Sequence, residues 1–219
     1  MLNVFVETNW VFDYAGPAYL QKPAAVSLME KAVAGEIYLH LPAICLTEAR
    51  RAIQSKPPPR TSANSVRQYL AWARTQGKLS TQDDETVRRV LDQYESQFAS
   101  ELKQLAERLA RLREQPGFDL FPLGNSMLAR AVDLSLENLD LEPFDQAILA
   151  AVLVRADELR SSGADTLSFC ELDSHLQPWG GKQGEPKQPL TDLYDAAHVW
   201  VYGDFSMENP PRPSDFPWN

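Results

Sequence analysis

Short apolar runs alternate with helical patterns along this chain, and this alternation limits the fold more than any other feature. The strand-like runs are rich in β-branched or aromatic residues and lie at 4–6, 37–41, 118–123, 166–170 and 198–202. Helical periodicity fills the segments at 24–34, 43–53, 125–138 and 143–160. Parallel strands need crossover connections, which helices usually provide. The sequence therefore predicts an α/β fold with a mostly parallel central sheet flanked by helices.

One long polar stretch, residues 62–114, interrupts the alternation. Its second half predicts a helix of about nine turns, at 3.6 residues per turn, along which apolar residues spaced by threes and fours trace one seam. These residues are Val87, Leu91, Tyr94, Phe98, Leu102, Leu105, Leu109 and Leu112. We expect a long helical hairpin insertion in which Tyr69, Leu70 and Trp72 pack against this seam within the monomer. A homodimer contact through the same seam is the alternative.

The domain organisation follows from these segments. We expect a single domain over residues 1–205, including the insertion, and an extended proline-rich tail over residues 206–219. No apolar run approaches the ~20 residues of a membrane-spanning helix, and the first residues lack the basic region of a signal peptide. The sequence thus predicts a cytoplasmic protein without membrane spans.

Composition narrows the possible partners. The net charge of −9 counts against a broad basic surface for nucleic acid, so any such contact must be local. Two cysteines and three scattered histidines provide no spacing for a zinc site. Cys45 and Cys170 lie among apolar neighbours, and we expect both to be buried free thiols.

Four carboxylates occupy places where an apolar element begins or ends. Glu7 follows the first strand-like run, Glu48 lies in the helix after the second, Asp145 opens a helix, and Asp173 follows the run at 166–170. An ionised carboxylate in apolar surroundings must be paired or bound to a cation. A divalent metal would compensate all four acids, and Mg²⁺ prefers such oxygen ligands.

Four segments carry a resemblance to a known family. They are VFVETNWV at 4–11, LPAICLTE at 41–48, FDQAILAA at 144–151 and LSFCELDSHL at 167–176. In this order they resemble the motifs of PIN domains: a strand ending in acid-Thr-Asn, a glutamate in the helix after the second strand, an aspartate opening an alanine-rich helix, and a strand followed by an aspartate.

The resemblance implies a metal-dependent ribonuclease that hydrolyses RNA phosphodiesters. Glu7, Glu48, Asp145 and Asp173 would hold Mg²⁺ or Mn²⁺ and carry catalysis, and Thr8 and Asn9 would contact the substrate phosphate or support the ligands. Many small PIN proteins are toxins held inactive by an antitoxin, so an antitoxin-like partner is implied as well.

Departures from the family pattern motivate an alternative. This chain has Glu7 where family members usually carry aspartate, and Glu171 where they commonly place threonine or serine. The alternative is a PIN-like binding or regulatory module without catalysis. Another doubly wound phosphohydrolase is a third interpretation, although it would need an aspartate nucleophile at the position of Glu7.

Each acid also has a purely structural interpretation. Glu7 could pair with Arg50 or Arg51, and Glu48 could be an exposed helix residue. Asp145 could complement the helix dipole, and Asp173 could cap a following helix. Asn9 or Thr8 could equally be the cap of the first helix.

Overall fold

The structure is a computed structural model that describes residues 1–16, 21–55, 59–137, 139–164, 166–180 and 185–207, without the side chains at 52–62. The chain divides into two compact units, Met1–Ala49 with Arg111–Asn219, and Arg50–Ala110. Most of the predicted tail, residues 208–219, lies outside the described part.

Parallel strands form the centre of the first unit. They are β1 Leu2–Val6, β2 Ile37–Pro42, β3 Phe118–Phe121, β4 Leu167–Cys170 and β7 Val199–Tyr202, while β5 Trp179–Gly180 and β6 Glu185–Pro186 make a separate antiparallel pair. The five-stranded sheet has the order β3-β2-β1-β4-β7, and every neighbouring pair is parallel. The predicted α/β class with a parallel central sheet is confirmed.

The position of β1 in the middle of the sheet explains why its sequence is continuously apolar. Val4, Phe5 and Val6 of β1 are fully buried, as expected for a strand that is covered on both faces. Their register with β4 pairs Val6 with Cys170 at the carboxyl end. Cys45 and Cys170 are buried free cysteines, as predicted.

The described chain contains eight α-helices: α1 Thr8–Ala15, α2 Pro23–Val33, α3 Ala43–Ser55, α4 Pro59–Thr75, α5 Thr81–Arg111, α6 Asn125–Leu136, α7 Pro143–Ser161 and α8 Leu190–Ala197. Helix α7 begins with a proline at its first position, where the missing N–H costs nothing. Its middle, from Ile148 to Leu153, is buried on all sides. No described helix is both long and apolar enough to cross a membrane.

Helix α8 was not predicted from the sequence. Its buried residues Leu190, Thr191, Tyr194 and Ala197 follow helical spacing, but the helix is only eight residues long and directly precedes β7. Asp192 lies in the first turn of this helix.

The second unit contains the predicted helical hairpin. Arg67 of α4 pairs with Glu95 and Asp92 of α5, and Arg74 pairs with Asp84. As α4 advances from Arg67 to Arg74, its partners on α5 move back toward the beginning of that helix, so the two helices are antiparallel. The long hairpin insertion is confirmed.

The predicted seam of the hairpin is partly wrong. Leu70 is buried, but Tyr69 and Trp72 remain 63% and 48% exposed, and Tyr94 and Leu102 of α5 are exposed as well. Successive helical residues differ by about 100° around the axis, so Leu70 can face inward only while Tyr69 faces sideways and Trp72 outward. The apolar spacing alone does not fix which side of each helix is covered.

Candidate functional site

The sheet topology brings acidic residues to one edge of the first unit. Parallel strands end at the same edge, where ligands collect in open α/β sheets. Glu7 directly follows β1 and Glu171 directly follows β4, and these two strands are neighbours. Helix α3 starts immediately after β2 and carries Glu48, and the first turn of α7 carries Asp145.

Glu7 is buried with one carboxylate oxygen unsatisfied. Its side chain is 3% exposed, and its Oε2 accepts the backbone N–H of Asn9 at 2.7 Å. Its Oε1 is buried and has no hydrogen-bond partner among the described residues. Burial raises the pKa of Glu7 to about 8, with added repulsion from Glu48 and Asp173. At neutral pH, metal-free Glu7 therefore tends to keep its proton.

The cap of α1 differs from the expected one. Thr8 and Asn9 were the predicted caps, but the capping residue is Glu7, whose backbone is extended with φ −129° and ψ −164°. A glutamate can fill this role because its carboxylate reaches the orphan N–H in the first turn. Within the first unit, Glu7 makes no ion pair among the described residues, so no protein cation there would compensate its charge once it ionises.

Glu48 is held by a side chain from α1. The buried Thr8 hydroxyl donates a hydrogen bond to Glu48 Oε2. This contact uses the hydroxyl that the sequence had suggested for a substrate phosphate, so in the structure Thr8 supports a carboxylate. Asn9 supports Glu7 through its backbone N–H.

Asp145 stands among other acids in the first turn of α7. Burial raises its pKa to about 6, followed by repulsion from Asp173, Glu48 and Glu142. The helix N-terminus would by itself favour the ionised form. The raised pKa therefore indicates that desolvation and neighbouring negative charge outweigh the helix dipole.

Asp173 is more accessible and already engaged. Its side chain is 35% exposed, and its Oδ1 accepts the backbone N–H of His175 at 2.8 Å and lies 2.9 Å from the ring Nδ1. The prediction that Asp173 caps a following helix is wrong, because residues 174–176 form a turn. The carboxylate instead organises this turn.

Glu171 is the site residue that the sequence reasoning missed. It is 0% exposed, its Oε1 accepts the backbone N–H of Asp173 at 2.5 Å, and its buried Oε2 has no hydrogen-bond partner among the described residues. Burial raises its pKa well above the usual value, with repulsion from Glu7, Asp173 and Asp145. The available signal was its place directly after an apolar strand, which is also the place of Glu7.

The donor chemistry suits a hard divalent cation. The acids supply carboxylate oxygens, which Mg²⁺ and Mn²⁺ prefer, and a cation would satisfy the two unpartnered oxygens of Glu7 and Glu171. Among the described residues, no group of three or more His, Cys, Asp or Glu side chains is arranged so that it could hold a metal ion. The side chains thus fit such an ion by their chemistry, without a ready-made cage of three or four ligands.

Comparisons with known proteins add little to this description. No family model matches the chain, and no curated protein matches it. Among solved structures, the chain is similar to the crystal structure of FitAcB from Neisseria gonorrhoeae, with 15% identity and a TM-score of 0.37 over 90% of this chain and 95% of that chain. A similarity of this size does not decide the family or the activity.

Proposed function

We propose that this chain is a divalent-cation-dependent ribonuclease of the PIN type. The observation that supports the proposal is the set of acids at the carboxyl ends of β1 and β4 and at the start of α7: burial raises the pKa of Glu7, Asp145 and Glu171, and the negative charge of neighbouring acids adds to each shift. Isolated acids of a structural kind would be exposed or paired with a cation from the protein. The four ordered PIN-like motifs give the reaction class.

In this proposal, Glu7, Glu48, Asp145 and Asp173 bind Mg²⁺ or Mn²⁺ directly or through water. The bound ion would lower the pKa of a water molecule and neutralise charge on a phosphodiester. Thr8 holds the Glu48 carboxylate, and the Asn9 N–H holds the Glu7 carboxylate. Both contacts limit the motion of the ligands, which makes binding less costly in entropy.

RNA is the proposed substrate, by the resemblance to PIN domains. The net charge of −9 disfavours extended phosphate contacts, so the metal site itself would provide much of the attraction for the substrate. A toxin role with an antitoxin-like partner, and a homodimer, remain predictions that co-purification and a mass measurement in solution can test.

Cleavage of labelled RNA tests the proposal. We expect the wild type to cleave with Mn²⁺ or Mg²⁺ and to be inactive in EDTA, and we expect Asp145→Asn to lose activity because it removes a ligand charge. Asp157→Asn is the matched control, since Asp157 lies on the same helix and is 67% exposed. Cleavage that persists in EDTA, or that Asp145→Asn leaves unchanged, would contradict the proposal.

A second candidate is a PIN-like binding or regulatory module without catalysis. It is favoured by the absence, in the described part of the chain, of a preformed group of three metal ligands. This candidate predicts no cleavage of any RNA in a broad panel, while RNA or a protein partner can still bind.

A further inference from the structure

Two glutamates occupy equivalent places on adjacent strands. Val6 of β1 and Cys170 of β4 are partners in the parallel register, and Glu7 and Glu171 are the next residues on each strand. Neighbouring parallel strands lie about 4.8 Å apart. The backbone therefore starts these two side chains side by side at the same edge of the sheet.

The two carboxylates are also held in the same way. Each accepts the backbone N–H of the residue two positions later, from Asn9 at 2.7 Å for Glu7 and from Asp173 at 2.5 Å for Glu171. Each then has one further oxygen that is buried and lacks a hydrogen-bond partner among the described residues. One oxygen of each carboxylate is therefore fixed by the backbone, and the other is buried without a partner from the protein.

Glu7 and Glu171 are surrounded by other acids, although a buried, ionised carboxylate needs a positive charge nearby. Glu48, Asp145 and Asp173 interact with one or both glutamates, and no ion pair to either is found within the described residues of the first unit. A buried acceptor without a partner costs about 1–3 kcal/mol, and more when it is charged. A cation is the ligand that would compensate both free oxygens at once.

Asp173 has less need of a cation than Glu171. Its Oδ1 accepts two contacts from His175, and its side chain is 35% exposed, so water can solvate its other oxygen, whereas the free oxygen of Glu171 is buried. Its backbone N–H, by contrast, orients Glu171. The motif resemblance had assigned the ligand role at this strand end to Asp173.

We propose that Glu7 and Glu171 together are the anchoring ligands of the divalent cation, and that Asp173 is not required for anchoring it. The proposal rests on the cation site of the proposed function and replaces one of its four ligands. Mg²⁺ is often bound by only one or two carboxylates and keeps waters and substrate phosphate as its other ligands. Two glutamates are thus a sufficient protein contribution.

The test is Mn²⁺ binding to the full-length, metal-free protein, measured by calorimetry and by the rise in melting temperature over EDTA. We expect Glu171→Gln and Glu7→Gln to weaken binding by roughly tenfold or more, and Asp173→Asn to bind nearly as well as the wild type. Glu171→Gln should melt no lower than the wild type in EDTA, because the amide carries no charge to bury.

Glu171→Asp is a second variant that keeps the charge. It withdraws the free oxygen by one methylene group, so we expect it to weaken Mn²⁺ binding as well. Circular dichroism and the melting temperature in EDTA identify any variant that fails to fold, and the remaining variant then carries the test.

The outcomes separate this inference from the ribonuclease proposal. Wild-type protein that does not bind Mn²⁺, or Glu171→Gln and Glu171→Asp that bind it unchanged, would overturn the inference. Loss of binding in Asp173→Asn alone would also overturn it and would leave the ribonuclease proposal standing. Binding that needs both glutamates, in a protein that cleaves no RNA, would uphold the inference and refute the ribonuclease.

Discussion

Replacing Glu7 by glutamine should change how the stability of the metal-free protein depends on pH. Burial raises the pKa of Glu7 from the ordinary 4.5 to about 8, so the folded state keeps a proton that the unfolded state has released. The stability from this group is complete below pH 4.5 and is lost as the pH rises through about 8. Glutamine resembles the protonated acid and cannot ionise, so the variant should not show this loss.

The size of the effect follows from the same values. Each pH unit between the two pKa values corresponds to 1.36 kcal/mol, so the interval from 4.5 to about 8 amounts to about 5 kcal/mol. Glu7 is almost fully buried, so solvent screens little of this energy. We expect the stability advantage of Glu7→Gln over the wild type to grow by up to about 5 kcal/mol between pH 4.5 and pH 8.

Urea unfolding in EDTA at several pH values measures this difference. Glu36→Gln is the control, because Glu36 is exposed in the same unit and its replacement should shift stability little at any pH. Parallel stability curves for the wild type and Glu7→Gln would refute the assignment of Glu7 as a buried, unpaired acid.

Two further predictions concern stability away from the acids. Gly117 has φ +71°, and a Cβ at this position would lie 2.2 Å from the Ala32 carbonyl oxygen, whereas Gly35 has φ +76° and nothing within 4 Å. Gly117→Ala should therefore lower the melting temperature more than Gly35→Ala does. The cost of Gly35→Ala is the ~1–2 kcal/mol of left-handed strain alone. Equal melting temperatures would contradict this. Asp84 is 1% exposed and accepts hydrogen bonds from Arg88 at 2.9 Å and from Arg74 at 3.2 Å. Asp84→Asn should therefore lower the free energy of unfolding by about 1–3 kcal/mol and speed hydrogen exchange in the hairpin. Unchanged exchange would show that the pairing does not stabilise the hairpin.

The parallel central sheet could be predicted from the sequence because its strands are buried on both faces. Continuous apolar runs such as Val4–Val6 mark central parallel strands, and the helices between them require a parallel arrangement. The strand order, with β4 beside β1, cannot be read from periodicity, since it depends on long-range pairing between residues far apart in the chain.

The site was harder to predict because a resemblance compares positions and not hydrogen bonds. Asp173 matches the family aspartate by position, yet it is partly exposed and one of its oxygens contacts His175, while Glu171 keeps a buried oxygen without a partner. The exposed Tyr69 and Trp72 illustrate a similar limit, since spacing identifies an apolar helix side without identifying what covers it.

The position of β1 in the middle of the sheet has a consequence for synthesis. One of its neighbours, β2, begins at Ile37, but the other, β4, begins only at Leu167. The intervening stretch of about 160 residues takes roughly 8–30 s to translate at ~5–20 residues per second. During that interval, one edge of β1 has no partner strand, and Val4, Phe5 and Val6, which are fully buried in the folded protein, lack much of their cover. An unpaired strand edge of this kind favours association with other chains.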